Sequence, residues 1–244
     1  MSGPKDNSEL LPAEASSLAS RIQSTIISNT LTCKRWEQHI AECLKYHFHA
    51  AMIPAAWVRR TAEVLHGTGV KVASFVDFPY GTMTSAGKAY ETQQIIENGA
   101  EEVDLMPNVG LLLSGMEREY AEDISVVVRA AGQVPVKVML ELPLLNTLQR
   151  ERAVFLSVDA GVAYLKNASG GAVGVATPDQ IAFLRRLAPP RVRVKASGGI
   201  KTAQQVRDLV QAGADLVGTS VGGQIMAELS GVGCATKKLD ETAY

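Results

Sequence analysis

From Ile22 onward, short runs of apolar and β-branched residues alternate with longer amphipathic stretches. The short runs are Ile22–Ile27, Ala50–Ile53, Lys71–Phe78, Glu102–Met106, Val136–Glu141, Ala163–Asn167, Arg191–Ala196 and Leu216–Thr219. Their length and composition predict strands. The intervening patterns predict helices over Cys33–Tyr46, Ala55–His66, Ser85–Asn98, Met116–Ala131, Leu148–Ala160, Pro178–Leu187, Ala203–Ala212 and Gly222–Leu229. Thr177-Pro178-Asp179 supplies a capping hydroxyl, a proline at the first helical position and an acidic first turn. Gly69, Gly99, Gly161 and Gly213 each follow a helical pattern closely enough to cap it. Alternating strands and helices give a parallel sheet with crossover helices. Eight such units predict an α/β protein of the (β/α)8 TIM-barrel type. The count depends on Ile22–Ile27; without it, seven strands would suit an open, doubly wound sheet.

No linker interrupts this rhythm, so residues 21–230 read as a single barrel domain. Residues 1–20 read as a flexible lead-in or a short helix, and 231–244, small and polar, as a mobile tail. A chain of 244 residues with 46% hydrophobic residues is ample for one core. The formal net charge of −1 offers no field for nucleic acid or an anionic membrane. No apolar run reaches the roughly 20 residues that span a bilayer, and the first twenty residues lack a secretory pattern. Three scattered cysteines argue against a disulfide framework and for a reducing cytoplasm.

Chemistry in such a barrel sits where strands run out into the βα loops. Lys166 and Lys195 lie in neighbouring strand patterns, one strand–helix unit apart. An ammonium inside a strand is costly unless paired or employed. Two close together depress one another's proton affinity, and a neutral lysine can form a Schiff base with a carbonyl. Alternation along the strands turns Asp104 and Lys137 inward as well, giving a polar centre fit for proton relay or for structural ion pairing. Ser169-Gly170-Gly171, Ser197-Gly198-Gly199 and Gly218-Thr219-Ser220 follow the last three strands. Bare backbone there suits a phosphate, with Ser169 and Thr219 among the candidate contacts. The histidines (His39, His47, His49, His66) read as surface or packing residues, so no metal site is expected. No Gly-x-Gly-x-x-Gly follows a strand, so no dinucleotide is expected either.

Asn98-Gly99-Ala100-Glu101-Glu102-Val103-Asp104, Val136–Glu141, the Lys166 strand and Val194–Thr202, in that order, resemble the 2-deoxyribose-5-phosphate aldolase family over about Ile22 to Leu229. The resemblance implies a barrel lyase without metal or organic cofactor, acting on a small sugar phosphate and an aldehyde in the cytoplasm. The implied reaction is reversible cleavage of 2-deoxy-D-ribose 5-phosphate to acetaldehyde and D-glyceraldehyde 3-phosphate. It makes Lys166 the Schiff-base lysine, Lys195 its partner and Asp104 the acid/base. It puts Gly170, Gly171, Gly198, Gly199 and Ser220 near the phosphate, and it gives a terminal tyrosine, here Tyr244, a part in proton transfer. Such barrels often pair through their outer helices, which allows a homodimer. The sequence departs from the family at Gln23 (usually aspartate), Ala51 and Ile53 (cysteine and asparagine), Asp77 (glycine), and Asn167-Ala168 (within Lys-Thr-Ser-Thr). The resemblance places these departures around the substrate. They keep open a related Schiff-base aldolase with another donor or acceptor, or a weakly catalytic sugar-phosphate-binding paralogue.

Overall fold

The computed structural model describes residues 13–230. The element order is α1 (Ala13–Ala19), β1 (Ile22–Thr25), α2 (Cys33–Tyr46), β2 (Ala50–Met52), α3 (Val58–Leu65), β3 (Lys71–Val76), α4 (Ser85–Glu97), β4 (Glu102–Leu105), α5 (Val109–Leu113), α6 (Glu117–Ala131), β5 (Val136–Met139), α7 (Thr147–Asp159), β6 (Tyr164–Lys166), α8 (Pro178–Leu187), β7 (Arg193–Ser197), α9 (Ala203–Gln211), β8 (Leu216–Thr219) and α10 (Gly222–Leu229). Each strand pairs with its sequence neighbour, and β8 pairs in parallel with β1, so the sheet closes. Ile22–Ile27 is therefore a real barrel strand, and the open-sheet alternative is excluded.

Local chemistry explains the helix ends. Thr177 accepts from the Gln180 amide ahead of Pro178. Asn146 with Gln149, and Thr202 with Gln205, form reciprocal capping boxes on α7 and α9. Gly99, Gly161 and Gly213 adopt φ of +103°, +91° and +110° just past their helices, a region that only glycine enters without cost. The strands end earlier than their apolar runs, because ladder pairing stops where the chain turns into the βα loops. The hydrophobic pattern did not reveal α5, which Asn108 caps by accepting from the Leu111 amide, nor the 3-10 turns Ala55–Trp57 and Leu142–Leu144.

Outward strand residues, such as Val72, Val103, Val138, Leu165, Val194 and Val217, pack against the helices in one continuous core. The lumen is divided. On the β2–β3 side, Ala50, Met52, Ala73 and Phe75 form a small apolar cluster. On the β4–β7 side, the inward positions are charged and buried: Glu102, Asp104, Lys137, Lys166 and Lys195. No described helix is long and apolar enough to cross a membrane. The residues read as a mobile tail, including Tyr244, lie outside the described residues, as does most of the lead-in.

Candidate active site

Strand register assembles the polar centre. Asp104 is the partner of Lys137 across β4–β5, and Lys166 is the partner of Lys195 across β6–β7. Asp104 Oδ2 accepts from both Lys166 Nζ (2.9 Å) and Lys195 Nζ (2.6 Å). Lys137 Nζ lies 3.3 Å from Asp104 Oδ1 and 2.7 Å from Glu102 Oε2. Lys195 Nζ also donates to Gln23 Oε1 at 2.7 Å. Sequence reasoning thus brought Lys166, Lys195, Asp104 and Lys137 to one place.

The two central lysines are not equivalent. Lys166 lines a narrow opening with Asp104, Ser169 and Ser197 on its polar side and Met52, Phe75, Phe78 and Met139 on its apolar side. Lys195 lies behind it, 1% exposed, and does not line the opening. Burial depresses the Lys195 ammonium well below the usual lysine range; Lys166 and Lys137 add to this against the pull of Asp104. Burial would raise the Asp104 carboxyl, but Lys195, Lys166 and Lys137 together hold it far below the ordinary carboxylate range. Lys137 goes the other way: burial opposes its charge, yet Asp104 and Glu102 raise it.

A second polar layer, missed in the sequence, lies below the first. Glu102 Oε1 meets His49 Nε2 at 2.8 Å and Lys71 Nζ at 3.0 Å. His49 is therefore neither a free surface group nor simple packing; it is a carboxylate partner at the stability end of the barrel. The signal was available, because Glu102 shares its strand face with Asp104 by the two-residue period. Among the described residues, no group of three or more His, Cys, Asp or Glu is placed to hold a metal ion.

The late glycine loops interlock at the carboxyl ends of the strands. Gly198 has φ +115°, and a Cβ there would collide with the Gly174 carbonyl oxygen. A Cβ on Gly171 would sit 3.3 Å from the Gly199 nitrogen. The Ala176 amide donates to the Gly198 carbonyl at 2.9 Å. Gly170 is half-buried, while Gly171 and Ser220 are exposed beside these loops. The Ser169 amide donates to Glu141 Oε1 at 2.5 Å. The Thr219 hydroxyl donates to the Ile200 carbonyl and accepts from the Val221 amide, so it is engaged within the protein. Glu141, which the sequence places at the carboxyl end of the fifth strand, had no role assigned to it there. It holds φ +52° at the end of β5, and burial raises its carboxyl.

The family departures separate by position. Gln23 faces the lumen and touches Lys195. Ala51 and Ile53 belong to the outer core with the helices, so they do not flank the site as the resemblance implied. Asn167 clasps three elements: its side chain donates to Gln180 Oε1 and accepts from the Ser197 amide. Asp77, at φ +53°, lies 3.4 Å from the buried Lys88 ammonium, which Asp123 holds at 2.6 Å.

Fold and site together place the protein among the (β/α)8-barrel enzymes that work at the carboxyl ends of their strands. Its relatives narrow that class. It is 39% identical over 210 residues to a deoxyribose-phosphate aldolase of Geobacillus sp. (strain WCH70), covering 86% of this chain and 94% of the relative. A deoxyribose-phosphate aldolase of Staphylococcus carnosus (strain TM300) is 35% identical over 211 residues, covering 86% and 96%. The tetrameric deoxyribose phosphate aldolase of Aeropyrum pernix superposes with a TM-score of 0.81 at 30% identity, over 88% of this chain and 91% of that one. No protein-family model matches the chain. Identity of this order, sustained over nearly the whole barrel, shows that the chain belongs to the deoxyribose-phosphate aldolase family, and it is a lyase of the aldolase type.

Proposed function

We propose that the protein reversibly cleaves 2-deoxy-D-ribose 5-phosphate to acetaldehyde and D-glyceraldehyde 3-phosphate through a Schiff base on Lys166. The observation that carries this is the pair of lysines on one oxygen, Asp104 Oδ2, with only Lys166 facing the opening. In this reading, Lys195 in its neutral form takes the proton of the Lys166 ammonium, both side chains being held in place by the oxygen they share. The freed amine adds to the C1 aldehyde of the open-chain sugar, and Lys195 returns its proton to the carbinolamine hydroxyl, which leaves as water. The iminium draws the C2–C3 bonding pair into an enamine while the C3 hydroxyl proton passes to Lys195. Glyceraldehyde 3-phosphate departs, C2 is protonated, and hydrolysis frees acetaldehyde and Lys166.

Asp104 acts here as the anchor of the relay rather than its proton carrier, since the surrounding lysines hold its carboxyl far below the ordinary range. Gly170, Gly171, Gly198 and Gly199 present backbone to the phosphate, with Ser169 and Ser220 at their flanks and Thr219 fixing the start of the last loop. Apolar Met52, Phe75 and Met139 suit the two-carbon aldehyde end. Tyr244 assists protonation of C2. Removing only its hydroxyl, in Tyr244→Phe, is expected to slow exchange at the acetaldehyde methyl group by about 10²–10⁴-fold. Wild-type exchange would remove it from the scheme. Assembly into a homodimer belongs to the same reading, and a mass measurement in solution tests it.

The central test is reductive trapping. Acetaldehyde with borohydride is expected to place one ethyl group on Lys166, and Lys166→Ala to abolish trapping and turnover together. An ethyl group on Lys195 instead would overturn the assignment. A product assay with deoxyribose 5-phosphate distinguishes this reaction from that of a Schiff-base aldolase with another acceptor.

A further inference from the structure

Charges in the barrel centre do not balance. Three ammonium groups (Lys137, Lys166, Lys195) meet two carboxylates (Glu102, Asp104), and Glu102 is shared further with His49 and Lys71. Lys195 is the member left short. Around it, β4 contributes Asp104, while β5 and β6 contribute the like charges of Lys137 and Lys166. β8 contributes no charged side chain: Leu216 is the register partner of Lys195, and a Cβ on Gly218 would lie 3.1 Å from Lys195 Cε. β1 contributes the amide of Gln23, whose oxygen accepts from Lys195 Nζ at 2.7 Å. The other half of that amide is unusual. Gln23 is 0% exposed, yet its Nε2 has no hydrogen-bond partner. Buried donors are rarely left so, because the desolvated group costs free energy.

The two facts fit one chemistry. A lysine ammonium only donates; a neutral lysine amine also accepts, through its lone pair. A carboxylate can only accept and so never meets the amine lone pair, whereas an amide can accept through its oxygen or donate through its nitrogen. With its oxygen toward Nζ, Gln23 holds the ammonium. Turned over, it offers Nε2 to the amine lone pair, and no existing bond of Nε2 is lost in turning. We propose that Gln23 is a positioning residue whose amide holds Lys195 in both its protonated and its neutral form, so that Lys195 gives and takes its proton without leaving its place. This rests on the proposed role of Lys195 as proton carrier. It adds that the neighbour on β1 sets how readily the proton moves.

The direct measurement is a pH titration of the Lys195 side chain by NMR in protein carrying ¹³C at the lysine Cε, with the signal assigned through Lys195→Arg. It needs no turnover, so it stands apart from the proposed reaction. Gln23→Glu adds a carboxylate and is expected to raise the midpoint by one unit or more, a tenfold change in proton affinity. Gln23→Met removes both the oxygen and the nitrogen while keeping the length, and is expected to lower the midpoint, because the charge-assisted bond to the ammonium is the stronger of the two that are lost. Opposite shifts support the proposal, and either variant alone decides its sign if the other fails to fold. Unchanged or parallel midpoints would overturn it and make Gln23 a space-filler. The acid limb of kcat/KM for deoxyribose 5-phosphate cleavage should follow the same order, moving to higher pH in Gln23→Glu with rates recovering above it. Uniform loss at every pH would mean a merely structural role. Trapping of acetaldehyde on Lys166 in the unsubstituted protein reports on the reaction itself, so its failure is distinct from failure of this proposal.

Discussion

Asp77 shows how a departure from the family pattern is accommodated by its surroundings. Its φ of +53° explains the usual glycine there: the left-handed region costs an L-residue roughly 1–2 kcal/mol. The carboxylate offsets that cost by accepting from the Met83 amide at 2.8 Å and facing Lys88. Two variants separate these contributions. Asp77→Ala keeps the strain and loses the contacts; Asp77→Gly loses both. We expect the glycine variant to be the more stable of the two by about 1 kcal/mol in urea unfolding. Equal stabilities would show that the backbone there is not strained. Nothing in the sequence announced Lys88, because its partners Asp77 and Asp123 come from a loop and from a different helix. Lys166, Lys195 and Asp104 were legible for the opposite reason: each lies on a strand, where the two-residue period decides the face.

At the level of elements, the loops after β6 and β7 behave as one piece. Gly198→Ala would drive a methyl group into the Gly174 carbonyl and force φ +115° on an L-residue, moving both loops together. We expect the Michaelis constant for deoxyribose 5-phosphate to rise at least tenfold, roughly 1.4 kcal/mol. Trapping of acetaldehyde on Lys166 should persist, because β6 itself is untouched. An unchanged Michaelis constant would place the phosphate on other loops. All eight strands and the eight principal helices were readable from periodicity, since each must bury a face against the next layer. α5 was not, because five residues are too few to display a helical period. The left-handed turn at Glu141 was equally hidden: it is set by the β5 exit and by the Ser169 amide, a contact 28 residues away.

For the molecule as a whole, the barrel centre determines the response to acid. Asp104 and Glu102 both titrate below their unfolded values in the folded state, after burial is outweighed by their cationic neighbours. Their contribution to stability is therefore complete above about pH 4, the unfolded carboxyl range, and is lost as pH falls below it. Glu141 has the opposite sign. Burial raises its carboxyl, so its charge opposes folding near neutrality and the penalty fades on mild acidification. We expect the urea midpoint to decline modestly as pH drops from 7 toward 5, because burial holds the His39 imidazole down to about 4 and this outweighs the gain at Glu141, then to fall steeply below about 4. A midpoint unchanged down to pH 3 would contradict this. Lys137→Met should cost about 3–5 kcal/mol, because it leaves two buried carboxylates short of a partner.

The bond from Lys195 to Gln23 joins residues 172 apart in sequence, and those from Asp104 to Lys195 and Lys166 span 91 and 62. The first needs β1 and β7 together, and the other two draw on β4, β6 and β7, so the full set cannot form within either half of the barrel. An unfinished barrel would carry a bare ammonium or carboxylate in its middle, where an apolar protein of the same shape would carry only a poorer fit. The polar centre thus works as a lock that admits only the completed ring. The chain has little prospect of surviving as halves, and the residues proposed to break a carbon–carbon bond are also the ones that certify that the sheet has closed.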